Sequence, residues 1–278
     1  MNKGIQNIFS PIPQTYELIN HILTLGFDAP VRRYAAKFAV ANNDSNQDIQ
    51  KASPCHCERP QGAWQSLSPE RTGLLRRSTP RNDTSGISYN TNKRWLDVCT
   101  GTGEMAHCLS KYAKENTLIM ASDFTLPMLR YARQGRNSPV RFTAADSIRL
   151  PFRNNTFDLV TISFATRNIN ISYQNLLACL KEFRRVLKPG GRFINLETSQ
   201  PPLIALQKLL HSFVKIFVRP IGSAISGSQS AYTYLSQTIP RFYDADRFSD
   251  IILEAGFKEC KYRHILGGLA AIHQGINK

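Results

Sequence analysis

Two glycines one residue apart, Gly101 and Gly103, close a short apolar run (Trp95, Leu96, Val98) and open an amphipathic stretch beginning at Glu104. Strand, glycine turn and helix in that order let bare backbone approach a bound nucleotide at the amino end of the helix. Asp123 closes the next expected strand, 20 residues past Gly103, and a carboxylate there can accept both hydroxyls of a ribose. Asp146 ends a third strand, where it or its backbone neighbours can meet the amino group of an adenine. Taken alone, Gly101-x-Gly103-x-x-Ala106 also fits the nicotinamide-dinucleotide fingerprint. Asp123 alone also fits a helix N-cap, the less frequent of its two readings. The elements around these residues must decide between the readings.

From Lys93 onward the chain is regular. Strands are expected at 94–99, 117–122, 140–145, 157–164 and 192–197, separated by helical patterns at 104–114, 127–134 and 172–187. Alternation of this kind predicts a doubly wound α/β fold with a mostly parallel sheet. Leu187-Lys188-Pro189-Gly190-Gly191 ends the long helix, because proline stops it and glycine tolerates positive φ in the turn. The tail breaks the rhythm. A helix at 244–255 ends at Gly256, and strands 259–266 and 269–273 then follow each other across Gly267-Gly268. Without a helix between them they must pair antiparallel.

Ahead of this domain, residues 5–40 read as helical, with Tyr16, Ile19 and Leu23 at helical spacing and a second segment near Pro30 carrying Arg32 and Arg33. Residues 42–92, rich in Asn, Ser, Pro, Gln and Arg, lack periodicity and are expected to be a disordered insertion or linker. The division expected is therefore a helical lid over 1–41, the insertion over 42–92 and the main domain over 93–278. A formal charge of +15 on 278 residues favours anionic partners, whether nucleic acid, acidic lipid or phosphorylated ligands. No aromatic-interleaved basic patch or RNA module accompanies it, so nucleic acid is not an expected partner.

No secretory leader is expected ahead of the six cysteines, and Cys99, Cys108 and Cys179 fall inside expected strands or helices. That suits small buried side chains in a reducing compartment. Cys55-His56-Cys57 lacks zinc spacing, and no metal is expected. No run reaches the roughly 18 apolar residues of a membrane span. Residues 203–219 form instead a basic amphipathic helix. Leu206, Leu209, Leu210, Phe213, Ile216 and Phe217 make its apolar stripe, with Lys208, His211, Lys215 and Arg219 away from it. Such a helix lies on a bilayer, lids an apolar pocket or packs on a sheet.

A seven-stranded sheet with a terminal antiparallel pair resembles the class I S-adenosylmethionine methyltransferases. Further strings stand out: Tyr16–Asn20 with Arg32-Arg33, Leu96–Gly103, Leu150-Pro151-Phe152, Asn155–Asp158 and Thr161–Phe164 with Arg167-Asn168. They continue through Tyr232–Leu235, Ala255-Gly256-Phe257, Gly267-Gly268 and Ile272–Gly275. By these strings the chain resembles, from about Ile5 to the end except for 42–92, the UbiE/MenG family of ubiquinone and menaquinone C-methyltransferases. The chain departs from the family at Glu17, Val31, Glu104 and Ala165-Thr166, the last bordering the expected active site.

The resemblance implies S-adenosylmethionine as cofactor, contacted by Thr102, Asp123, Asp146, Ser147 and Ser163 with Gly101 and Gly103. It implies a polyprenyl quinol as acceptor, demethylmenaquinol by the Cys-Thr-Gly-Thr-Gly form of the first motif, with the ubiquinone precursor as alternative. Arg167 and Asn168 are the expected catalytic pair: Arg, always protonated, would stabilise a phenolate or orient a water. Tyr232 and His273 are weaker candidates. The family pattern starts near Met1 and leaves no room for a transit peptide, so a bacterial cytoplasm is expected, with transient contact to an anionic membrane surface.

Overall fold

The computed structural model describes residues 21, 26–41, 93–134, 138–218 and 237–278. The expected insertion 42–92, the Cys55–Cys57 cluster, Tyr16–Asn20, Arg219 and Tyr232–Leu235 lie outside these residues. Of the side chain of Phe217 nothing is described.

Seven strands form one sheet in the order β3-β2-β1-β4-β5-β7-β6. They are β1 (Arg94–Val98), β2 (Leu118–Asp123), β3 (Arg141–Ala144), β4 (Phe157–Ser163), β5 (Leu187–Thr198), β6 (Glu259–Ile265) and β7 (Ala270–Asn277). The first five pair in parallel. The chain builds outward from β1 through β2 to β3, then crosses back to β4, so the strand order reverses beside β1. Open α/β sheets bind ligands at the carboxyl ends of strands at such a reversal.

Both faces of the sheet are covered, and strand parity decides which core each side chain joins. On one face Leu96, Val98, Val160, Ile162 and Phe193 pack against α5 (Tyr173–Val186) and α7 (Ala245–Glu254). On the other, Trp95, Ile119, Leu159, Ile194 and Leu196 pack with α2 (Glu104–Ser110) and with Val31, Ala35, Ala36 and Ala39 of α1 (Asp28–Ala41). Helix α1 thus belongs to the same compact unit as the sheet. The alanine face lets it lie close, and Arg192 Nη2 donates to the Ala39 carbonyl near its end at 2.6 Å. Helix α5 is capped by Ser172, whose hydroxyl accepts from Asn175 N–H at 3.1 Å, and α7 by Asp244, which accepts from Arg247 N–H at 2.7 Å. Two shorter helices are α3 (Leu126–Arg133) and α4 (Thr166–Ile169), and α6 (Ile204–Phe213) runs into a π-helical turn at Val214–Val218.

Several elements differ from the expectation, among them α4, which was not expected, and α6, which gives way to the π-helical turn after Phe213. Helix α2 ends at Ser110 instead of 114. Strand β5 begins at Leu187 and pairs with Phe157 before an irregularity that restarts the ladder at Arg192. Strand β7 continues to Asn277 and lies between β5 and β6, so the earlier strand of the antiparallel pair takes the edge. Two tertiary contacts explain its length. An added Cβ at Gly275 would come within 3.0 Å of Phe257, and Asn277 Nδ2 donates to the carbonyls of Leu187 (2.8 Å) and Lys188 (3.2 Å), stapling the turn before β5.

Candidate active site

The chain leaves β1 through a turn in which Cys99, Gly101 and Gly103 all have positive φ. Thr100 N–H donates to the Ser122 carbonyl at 3.0 Å and Gly103 N–H to the Thr100 carbonyl at 2.9 Å. Gly101 N–H donates to Asp123 Oδ2 at 2.9 Å, and Thr125 N–H to Asp123 Oδ1 at 2.8 Å. The carboxylate closing β2 therefore braces the glycine turn of β1. Asp123 is buried, which raises its pKa against the pull of these amides. The two glycines do different work. A Cβ on Gly101 would meet nothing within 4 Å, so the turn is open above it. One on Gly103 would come within 3.1–3.2 Å of Ala132, His107 and Phe142. Gly103 lets the helix approach its neighbours; Gly101 leaves room for a ligand.

A polar cavity opens between β1 and β4, lined by Asp97, Cys99, Thr100, Gly101, Thr102, Glu104, Met105, Ser163 and Ala165, with Arg32 of α1 across it. Asp97 is the residue that sequence reasoning missed. It is 1% exposed and accepts the hydroxyls of Thr100 (2.6 Å) and Thr161 (2.7 Å). Burial pushes its pKa up to about 6, opposed by those two hydrogen bonds and by the Arg32 cation. A buried carboxylate facing a cavity is a site for a cation. The available signal was a charged residue inside Trp95–Val98, a strand buried along almost its whole length. The cysteines nearby are not nucleophiles. Burial raises the Cys99 thiol and pushes Cys179 up to about 11, so both stay protonated near neutrality.

A second cavity of 330 Å³ adjoins the first and is apolar. Leu206, Leu209, Leu210 and Phe213 of α6 form one wall, with Leu266, Leu269, Phe27 and Val31 opposite. Four residues of the stripe expected at 203–219 thus line a chamber, while Leu203, Ile204, Leu209 and Ile216 stay exposed. The cavities share a partition. Phe164 faces the apolar chamber while its neighbours Ser163 and Ala165 face the polar one. Asp28 lines the apolar side and Arg32 the polar side, joined by Arg32 Nη1 to Asp28 Oδ2 at 2.9 Å. The Arg32 guanidinium also donates from Nε to Ser163 Oγ at 3.3 Å and lies over the Phe164 ring at 5.1 Å.

Of the expected site residues, the polar cavity gathers Gly101, Thr102 and Ser163, with Asp123 bonded to its floor. Asp146 and Ser147 follow β3, off the cavity lining; the Ser147 hydroxyl lies 3.5 Å from Cys179 Sγ, turned toward the core. Arg167 and Asn168 on α4 line neither cavity. Arg167 is buried, with Nη1 donating to Glu197 Oε1 at 2.6 Å and Nε without a partner. Asn168 Oδ1 is likewise buried and unpaired. His273 lies away from both cavities, its Nε2 3.0 Å from the Ala245 carbonyl and its ring against Phe248. No cluster of metal-ligating groups occurs among the described residues.

A parallel sheet ending in an antiparallel pair, with a carboxylate-braced glycine turn at its switch point, defines a class I S-adenosylmethionine-dependent methyltransferase. The CurJ carbon methyltransferase shares this fold at a TM-score of 0.50, 12% identity, and coverage of 69% of this chain and 50% of that one. Residues 78–277 match the ubiE/COQ5 methyltransferase family, and the chain belongs to it. The match begins inside the stretch expected to lack a counterpart and leaves residues 5–41 outside it. A ubiquinone/menaquinone biosynthesis C-methyltransferase UbiE of Rickettsia bellii is 38% identical over 196 residues, covering 66% of this chain and 76% of its own length. A demethylmenaquinone methyltransferase of Staphylococcus haemolyticus is 35% identical over 185 residues, with the same coverage. Family and fold make the chain a C-methyltransferase and imply S-adenosylmethionine as its methyl donor.

Proposed function

We propose that this enzyme methylates a ring carbon of a polyprenylated hydroquinone, with demethylmenaquinol as acceptor and the ubiquinone precursor as second reading. One observation carries the proposal: a polar cavity at the sheet's switch point shares a wall with an apolar chamber of 330 Å³. A prenylated hydroquinone needs that combination, a polar pocket for the donor and beside it an apolar enclosure that takes the tail, with the ring at the shared wall. The Cys99–Gly103 form of the turn favours the naphthoquinol, and the two relatives' names cover both quinones.

The residues present fit the donor. Asp97 would hold its ammonium, the amide and hydroxyl of Thr102 its carboxylate, and the remaining lone pairs of Asp123 its ribose hydroxyls. Asp146 and the main chain of Ser147 would rim the adenine, Gly101 would admit the ligand, Gly103 shapes the turn, and Ser163 would border the transfer point. When bound, the donor supplies an electrophilic methyl group for in-line displacement. Positioning is then the protein's main task. Arg167, neutralised by Glu197, acts by holding the end of β5 and the start of α4. Asn168 Oδ1 is a free acceptor beside them. The test is transfer of labelled methyl from S-adenosylmethionine to short-chain naphthoquinols and benzoquinols. Product from neither would end the proposal, and a preference for benzoquinol would reverse the order of the two readings.

An acceptor with a long tail resides in a bilayer. No helix of the described residues is long and apolar enough to cross one. Helix α6 and the turn after it expose Ile204, Leu209 and Ile216 beside Lys208 and Lys215, which supports transient docking on an anionic leaflet, the cytoplasmic face of a bacterial membrane. Flotation with vesicles of phosphatidylglycerol should carry the protein and Leu209→Asp should weaken it. Equal flotation with neutral vesicles would remove the electrostatic part.

A further inference from the structure

Adding a methyl group to a ring C–H of a hydroquinone releases one proton per turnover. An apolar chamber cannot hold that proton as an ion, so a basic group must face it. Among the described residues, Asp28 is the single charged group lining the chamber. Its carboxylate is largely buried and held on both sides. Arg32 Nη1 meets Oδ2 at 2.9 Å, and His21 Nδ1 lies 2.8 Å from Oδ1. The His21 side chain is 58% exposed, so the carboxylate joins the chamber to solvent through one imidazole. Arg32 ties the same carboxylate to Ser163 on the donor side of the partition.

We infer that Asp28 is a further catalytic residue: it accepts the proton of the acceptor's ring hydroxyl as the ring carbon is methylated. This rests on the hydroquinone reading above. As the new C–CH₃ bond forms, the S–CH₃ bond breaks and its electron pair stays on sulfur. The ring C=C π pair makes the C–CH₃ bond while the O–H electron pair becomes the C=O π bond of a neutral methylated dienone, and the proton moves to an Asp28 oxygen. The dienone then loses the hydrogen on its methylated carbon and regains one proton on oxygen, so a single proton leaves to water at the His21 edge. A carboxylate suffices as base because the hydroxyl becomes strongly acidic while its ring donates electrons to the methyl group. The base is needed in the transition state, not before it. His21 and Arg32 are positioning residues that fix the carboxylate between ring and solvent.

The experiment uses the full chain, labelled S-adenosylmethionine and two short-chain demethylnaphthoquinols, one plain and one fluorinated on the ring to acidify its hydroxyl. Asp28→Asn should lower kcat on the plain acceptor by about 10²-fold or more, leave KM and binding of S-adenosylhomocysteine within about threefold, and lose less than about tenfold on the fluorinated acceptor. A loss of positioning alone would depress both acceptors equally, and that result would overturn the inference; so would a plain-acceptor kcat within threefold of the wild type. Should Asp28→Asn fail to fold, the exposed His21→Gln carries the test, with a loss of roughly three- to tenfold on the plain acceptor that shrinks on the fluorinated one. Equal losses on the two, or none, overturn the inference. Failure of the wild type on every quinol is a different outcome, which overturns the functional reading and this inference with it.

Discussion

Replacing Arg167 by methionine separates a structural ion pair from a group acting on substrate. Arg167 and Glu197 are 4% and 1% exposed and meet at 2.6 Å. Without the guanidinium, Glu197 is left buried without its cation, holding only the Arg167 and Thr198 amides and the Thr198 hydroxyl. Breaking a buried pair from one side costs about 3–5 kcal/mol. The three surviving hydrogen bonds place this variant near the lower end, about 3 kcal/mol. For a domain of this size that is a fall in Tm of roughly 6–12 °C. The double variant Arg167→Met with Glu197→Met removes both charges and should recover most of the loss, since a buried pair replaced by packed apolar groups is often neutral. Urea unfolding of the two singles and the double measures the coupling. A change below about 1 kcal/mol in Arg167→Met would refute the reasoning. In the stable double, binding of S-adenosylhomocysteine should persist while turnover stays down by about 10²-fold, because Thr198 and α4 have lost their anchor.

Asp97→Asn should raise Tm at pH 7.5, because a carboxyl pushed up to about 6 is ionised there at a cost of up to about 3 kcal/mol. The sign follows from protonation: the unfolded chain releases the proton near 3.8 and the folded one near 6, so this group's destabilisation grows as pH rises between them. The gain should vanish by pH 4, and an equal gain at both values would refute the assignment. In binding titrations, affinity for S-adenosylhomocysteine should fall in the wild type as pH drops below about 6, while the variant stays weak throughout. His273 works with the opposite sign. Burial lowers it to about 4, so the folded state refuses a proton that the unfolded state takes up near 6.5, and stability falls as pH drops through that window. His273→Gln should flatten that part of the acid transition without lowering turnover. Gly103→Ala should cost stability, about 1–3 kcal/mol from strain and crowding in thermal melts. Gly101→Ala should chiefly weaken donor binding by calorimetry, since its Cβ would project into open space over the turn.

Much of the sheet was legible because β1, β4 and β5 carry apolar runs, and because glycine turns follow β1 and separate β6 from β7. Leu96–Gly103 followed by Asp123 located the donor side, since a nucleoside at a strand-end turn requires small residues at fixed spacing. Asp97 stayed hidden in the same string. One charged residue in a short strand looks like a solvent-facing position until both faces of the sheet are known to be covered. Arg167 and Asn168 were readable as polar residues past β4, but their burial and the Glu197 partner depend on β5 lying beside β4, which no local pattern encodes.

Local sequence determined the order of strands and helices, the glycine turn and the amphipathic stripe of α6, because each follows from backbone freedom or from the period of apolar residues. Only the tertiary structure decided what those features face. It set α1 on the sheet, put Asp28 and Arg32 on opposite sides of one partition, and turned the α6 stripe toward a chamber. These depend on contacts between residues more than a hundred positions apart, such as Arg32 with Ser163 and Arg192 with Ala39. Such contacts form only when the whole sheet closes, since the chain-entropy cost of holding distant segments together is offset by the core they jointly bury.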